Sequence, residues 1–118
     1  SLTTAFSTSL AFVRASGVPT DLFLEVLRPS ALYAPTFDKK LGRMLDREYR
    51  DPTFPLRLLR KDLLLFAAAA RGAGLDPAIA RGVLETIARA EQKELGDADY
   101  AALAEGLEGP LPEAPSAR

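Results

Sequence analysis

The chain reads as an all-α domain of about six helices, and three observations carry that expectation. Apolar residues recur at three- and four-residue spacing along nearly every segment, which places them on one face of a helix. No segment sustains the apolar–polar alternation of a half-buried strand. The helical stretches are separated by short turns rich in Gly, Pro, Asp and Thr, the residues that start and stop helices. At 118 residues the chain suffices for one domain with a substantial core.

The first helix is expected from about Thr3 to Ser16, with Leu2, Phe6, Leu10 and Val13 as its apolar stripe and Gly17 as its stop. No capping sequence precedes it, as in an element that begins upstream. Val18-Pro19-Thr20 reads as a turn, with Thr20 the N-cap of a short helix through Leu27 whose buried side is Leu22, Phe23, Val26 and Leu27. Pro29 ends it by disfavouring helix in the residue before. A third helix spans roughly Thr36 to Arg47, with Phe37, Leu41, Met44 and Leu45 inward and Lys39, Lys40, Arg43 and Arg47 outward.

Thr53 then reads as the N-cap of a long helix, with Pro55 in its first turn and Gly72 and Gly74 at its end. Asp76-Pro77 opens a fifth helix to about Leu95, striped by Ile79, Val83, Ile87 and Ala90 and stopped by Gly96. Asp97 or Asp99 opens a last short helix to Leu107. The organisation expected is therefore one helical domain over 1–108 and a flexible Pro-rich tail over 109–118.

Composition removes several chemistries. The chain holds no cysteine, so disulfides, thiolate catalysis and thiolate metal sites are excluded. It holds no histidine, which removes Ser-His-Asp chemistry and ordinary zinc sites. No EF-hand-like acidic loop offers a carboxylate site for calcium or magnesium, so no metal is expected. A net charge of −1 argues against a nonspecific nucleic-acid binder. No run approaches a membrane span, and the first residues lack the basic flank and apolar core of a secretory signal. A cytoplasmic location is expected. Charge is uneven, with eight Lys or Arg against four acids over 37–61, either a solvated helix face or a basic rim that attracts an anion.

The long fourth helix is the most informative stretch. It is almost wholly apolar from Leu63 to Ala70, which implies burial on most sides, yet it contains Lys61 and Asp62. Spacings of seven and eight put Phe54, Lys61 and Asp62 on one helical face. That grouping describes either the wall of an anion-binding cleft or a solvated pair at the end of a core helix.

Four passages, in this order, resemble the C-terminal helical domain of the β-hydroxyacid dehydrogenases, the 3-hydroxyisobutyrate dehydrogenase-like family. They are Ala11-Phe-Val-Arg-Ala-Ser-Gly17-Val-Pro, Leu24-Glu-Val-Leu-Arg-Pro-Ser30, the Phe54 that stands seven residues ahead of Lys61-Asp-Leu, and Gly96-Asp-Ala-Asp99-Tyr100. The resemblance covers about residues 2 to 107. It implies a domain like the C-terminal domain of 6-phosphogluconate dehydrogenase, whose partner is an N-terminal Rossmann domain bearing Gly-x-Gly-x-x-Gly.

The resemblance also implies a parent enzyme that oxidises a short 3-hydroxy acid or reduces its semialdehyde with NAD or NADP, at a cleft between the two domains. It assigns Lys61 to the cofactor, Phe54 to packing against it, and Asp62 to bracing the same cleft. Asp99 and Tyr100 are adequately explained as a helix cap and a packed ring. A subunit interface built by this domain, and hence a homo-oligomer such as a dimer, is implied as well.

The departures matter equally. No Gly-x-Gly-x-x-Gly is present, and Gly72-Ala-Gly74 ends a helix rather than following a strand. The family's Lys-x-x-Asn-Asn motif is absent too, and its catalytic lysine would fall before Ser1, so no catalytic residue is assigned here. Where the family tends to place Glu, this chain has Thr8. The chain by itself is expected to be inactive. Two further readings stand beside this one: a noncatalytic all-α interaction module, and the helical half of an imine reductase.

Overall fold

The computed structural model describes residues 2–108, and the stretch expected to be a Pro-rich tail lies outside them. Five α-helices run in order: α1 (Leu2–Ala15), α2 (Thr20–Leu27), α3 (Pro35–Asp46), α4 (Leu56–Gly72) and α5 (Ala78–Glu91). A closing 3-10 helix, Tyr100–Leu107, follows them. Among the described residues the sole β feature is an isolated bridge between Pro55 and Asp99.

Glycine stops two of the helices by the mechanism its sequence position suggests. Gly17 adopts φ 77° and lets the Val18 N–H donate to Val13 O at 3.1 Å. Gly74 adopts φ 78° and lets the Leu75 N–H donate to Ala70 O at 2.9 Å. Both are left-handed terminations that satisfy carbonyls the helix leaves open.

The core has two parts. Phe6 and Leu10 of α1, Leu24 of α2, and Phe37, Leu41 and Met44 of α3 form the first, where the rings of Phe6 and Phe37 stack at 4.3 Å. Leu56 of α4 with Val83, Ile87 and Ala90 of α5 form the second. The closing helix joins them. Ala101 and Ala102 sit in the first part and Leu103 in the second. Gly106 lets this helix lie directly on α5, because a Cβ there would stand 2.0 Å from Thr86 O. The apolar face of one short helix thus unites the two halves.

Several expectations are corrected. Thr53 does not cap α4, whose N-cap is Pro55 without a side-chain bond. Likewise Thr20 is the first residue of α2 rather than its cap. α5 ends at Glu91 rather than Leu95, because Glu94 turns left-handed at φ 63° and Leu95 folds back onto both parts of the core. Leu2, Leu22, Val26 and Ile79 point outward instead of into the core. In α5 the inward stripe is Ala80, Val83, Ile87 and Ala90.

α4 is not buried on most sides within this chain. Leu56, Ala67 and Ala70 are buried, whereas Leu64, Leu65 and Phe66 are exposed, Leu65 by 62% and Phe66 by 59%. Lys40, expected to face outward, is 4% exposed. It follows Phe37 by three residues and precedes Met44 by four, so it belongs to the inner face of α3.

Candidate functional site

The first two turns of α4 carry a surface concavity of about 520 Å³, lined by Arg57, Leu58, Arg60, Lys61, Leu64 and Leu65. Three cations and three leucines meet there. Arg57 pairs with Asp97 at 2.8 Å and Arg60 with Glu91 at 3.2 Å. Lys61 is exposed, and among the described residues it forms neither an ion pair nor a hydrogen bond with Asp62. An ammonium beside an apolar wall can accept an anionic group while the leucines contact a flat ring.

The structure separates the three expected site residues. Lys61 lines the concavity; Phe54 and Asp62 do not. Phe54 precedes α4 instead of lying on it, so the shared helical face inferred from its spacing does not exist. Its half-buried ring meets the Tyr100 ring edge-on at 6.3 Å. Asp62 is exposed on the next position of the helix.

At the approach to α4 lies a buried polar cluster that sequence reasoning missed. Lys40 Nζ stands 3.0 Å from each carboxylate oxygen of Asp99, with side-chain exposures of 6% and 0%. Lys40 also donates to Thr53 Oγ1 at 3.0 Å and lies 4.3 Å above the Tyr100 ring. Asp99 accepts further from the Thr53 N–H at 3.1 Å and the Ala101 N–H at 2.9 Å, the latter as N-cap of the closing helix. Burial pushes the Asp99 carboxyl up, but hydrogen bonds from Ala101, Lys40 and Thr53 outweigh it and hold it below its ordinary value. The cap and packed-ring roles expected for Asp99 and Tyr100 are both present. The ion pair is the addition, and the spacing of Lys40 from Phe37 and Met44 was its available signal.

This cluster ties down the entry to α4. The Leu56 N–H donates to Ala98 O and the Arg57 N–H to Gly96 O, both at 2.8 Å. The Tyr100 N–H donates to Phe54 O at 2.8 Å and the Asp99 N–H to Tyr49 O at 2.9 Å. The first N–H groups of α4, which no side chain caps, are therefore satisfied by the segment 96–100.

A second braced stretch lies at the end of α3. Arg43 donates to Arg50 O at 2.7 Å and Asp51 O at 2.9 Å, holding a loop in which Arg47 and Asp51 are left-handed. Tyr49 is buried there and its hydroxyl donates to Glu105 at 2.7 Å; burial, then that bond, raises its ionisation above the ordinary value. Among the described residues no cluster of acidic side chains could hold a metal ion, and no helix is long and apolar enough to cross a membrane.

Five helices closed by a 3-10 turn match a portion of a solved structure. A crystal structure of 3-hydroxyisobutyrate dehydrogenase from Salmonella typhimurium superposes with a TM-score of 0.77 at 22% identity, over 87% of this chain and 36% of that one. The fold is thus the helical domain type seen in a hydroxyacid dehydrogenase. A family model described as the NAD-binding domain of NADP-dependent 3-hydroxyisobutyrate dehydrogenase matches residues 2–107. The glyoxylate/succinic semialdehyde reductase 1 of Arabidopsis thaliana is 30% identical over 107 residues, covering 91% of this chain and 37% of the relative. The chain belongs to the 3-hydroxyisobutyrate dehydrogenase family, and it spans little more than a third of the length of the relatives it matches.

Proposed function

We propose that the chain serves as the helical domain of an NAD(P)-dependent hydroxyacid dehydrogenase, forming one wall of the cleft where cofactor and a short hydroxy acid or semialdehyde meet. A Rossmann domain of the same protein supplies the other wall, and the catalytic lysine stands at the start of the first helix, ahead of Ser1, so the 118 residues alone are inactive. The observation that carries the reading is the concavity on α4, where exposed Lys61 stands beside Leu58, Leu64 and Leu65. A dinucleotide presents anionic phosphates and flat rings, and this mixture of charge and apolar surface suits both. When bound, NAD or NADP supplies or accepts the hydride, and the residues of this chain bind and orient it.

Phe54, just ahead of α4, and Asp62, next to Lys61, flank this wall without lining it. The exposed apolar residues outside the concavity, Phe66 on α4 and Ile79 on α5, fit a domain that packs against further protein, including a second subunit of a cytoplasmic homo-oligomer. Titration of NADPH and NADH into the complete dehydrogenase tests the site. Lys61→Ala should weaken binding about tenfold, the loss of one charge-assisted contact. An unchanged dissociation constant removes Lys61 from the site.

A further inference from the structure

We propose that the buried Lys40–Asp99–Thr53 cluster is the positioning device of the cofactor wall, setting Phe54 and the first turns of α4 through hydrogen bonds instead of touching the ligand. The proposal rests on the reading of Lys61 given above. The cluster lies on three elements distant in sequence: α3, the approach to α4, and the approach to the closing helix. Its bonds converge on one short stretch. Thr53 is bound to Asp99 through both its N–H and its hydroxyl at 3.1 Å. Pro55 bridges to Asp99, Phe54 O receives the Tyr100 N–H, and Leu56 and Arg57 donate to Ala98 and Gly96. Thr53, Phe54, Leu56 and Arg57 are thus each hydrogen-bonded to the segment 96–100, and Lys40 holds Asp99 of that segment.

The physical argument concerns what such a cluster contributes. A buried ion pair adds little stability over apolar side chains of similar volume, because desolvation consumes most of the attraction. Its contribution is direction: three donors and a carboxylate are satisfied in a single arrangement, whereas apolar packing tolerates several. α4 needs that direction, since no side chain caps it and its outer face has no partner among the described residues. Lys40 over the Tyr100 ring, and Tyr100 against the Phe54 ring, extend the same constraint to the aromatic residue. Lys40, Asp99 and Thr53 are therefore positioning residues for Lys61 and Phe54.

The test is a double-mutant cycle in the complete dehydrogenase, titrated with NADPH and NADH at a temperature where circular dichroism shows each variant folded. Asp99→Asn keeps the shape of the side chain and removes the charge; Thr53→Val takes its place if that variant does not fold. Asp99→Asn should raise the dissociation constant about tenfold, a consequence of displaced contacts. Combined with Lys61→Ala it should raise it little further than Lys61→Ala alone, because the cluster acts through Lys61. Faster amide exchange at Leu56 and Arg57 than at the buried amides of α5 should accompany the loss. A lowered melting temperature with unchanged dissociation constant would mark the cluster as merely structural and overturn the proposal. Effects of the two substitutions that multiply would overturn it too. If Lys61→Ala itself leaves binding unchanged, the cofactor wall is wrongly placed and the positioning role falls with it.

Discussion

Replacing Lys40 by methionine should cost the domain about 3 kcal/mol, far more than a surface charge would. Met matches the length of the Lys stem but removes the ammonium that lies 3.0 Å from both oxygens of Asp99. The carboxylate left behind is fully buried, and breaking such a pair on one side costs about 3–5 kcal/mol. Asp99 retains the N–H groups of Thr53 and Ala101, which places the expected loss at the lower end.

Urea denaturation measures this. With a slope of about 1.5 kcal/mol/M for a domain of this size, the midpoint should fall by roughly 2 M. Acid provides an internal check. In the parent chain the Asp99 carboxyl titrates below its ordinary 3.8, so its contribution is complete above that pH and is lost as the pH falls through the folded value. In the variant, burial remains and the ammonium is gone, so protonating Asp99 relieves the buried charge and the deficit should narrow on acidification. A loss below about 1 kcal/mol would equal that of an exposed pair and would refute the burial argument.

Gly106→Ala should destabilise by at least about 1–3 kcal/mol, read by thermal melting, since the new Cβ meets backbone rather than a yielding side chain: Thr86 O at 2.0 Å and Ala90 N at 3.2 Å. Leu56→Ala empties a fully buried site between α4, α5 and the closing helix and should cost about 2–5 kcal/mol in urea. The Glu48 carboxyl, held to about 2 by the Arg50 guanidinium and N–H, should titrate there by carbon NMR. Arg50→Ala should return it toward 4.5, and added salt should move it the same way because the pair is exposed.

The helical fold was legible because local signals and tertiary demands agree. Gly17 and Gly74 are left-handed stops where they were expected, and Pro29 follows the end of α2 as its limit on the preceding residue requires. The end of α5 was misread because Lys93 leaves the helix to donate to Glu105 O at 2.6 Å, a contact made across the fold and absent from any local pattern. The cap at Thr53 was misplaced for a similar reason. In α4 the groups that satisfy the first N–H donors lie some forty residues away, at Gly96 and Ala98.

Site residues were harder. Helical periodicity was extended back to Phe54, beyond the point where Pro55 begins the cap, and this grouped a residue with Lys61 that the backbone separates. Lys40 carried a readable signal, three residues after Phe37 on a buried face, but its charge argued for solvent until Asp99 supplied the partner. The apolar run of α4 marked an element that shuns water without saying whose surface covers it. Leu64, Leu65 and Phe66 find no cover among the described residues.

The closing helix touches α1, α3, α4 and α5, and it is the last described element to leave the ribosome. Until Leu95 and this helix emerge, the two parts of the nascent core are not joined, and until Gly96 and Ala98 do, the first N–H groups of α4 lack their partners. Native packing of the described residues therefore waits for this stretch rather than growing helix by helix, which gives the final twelve or so of them control over when the domain becomes resistant to proteolysis.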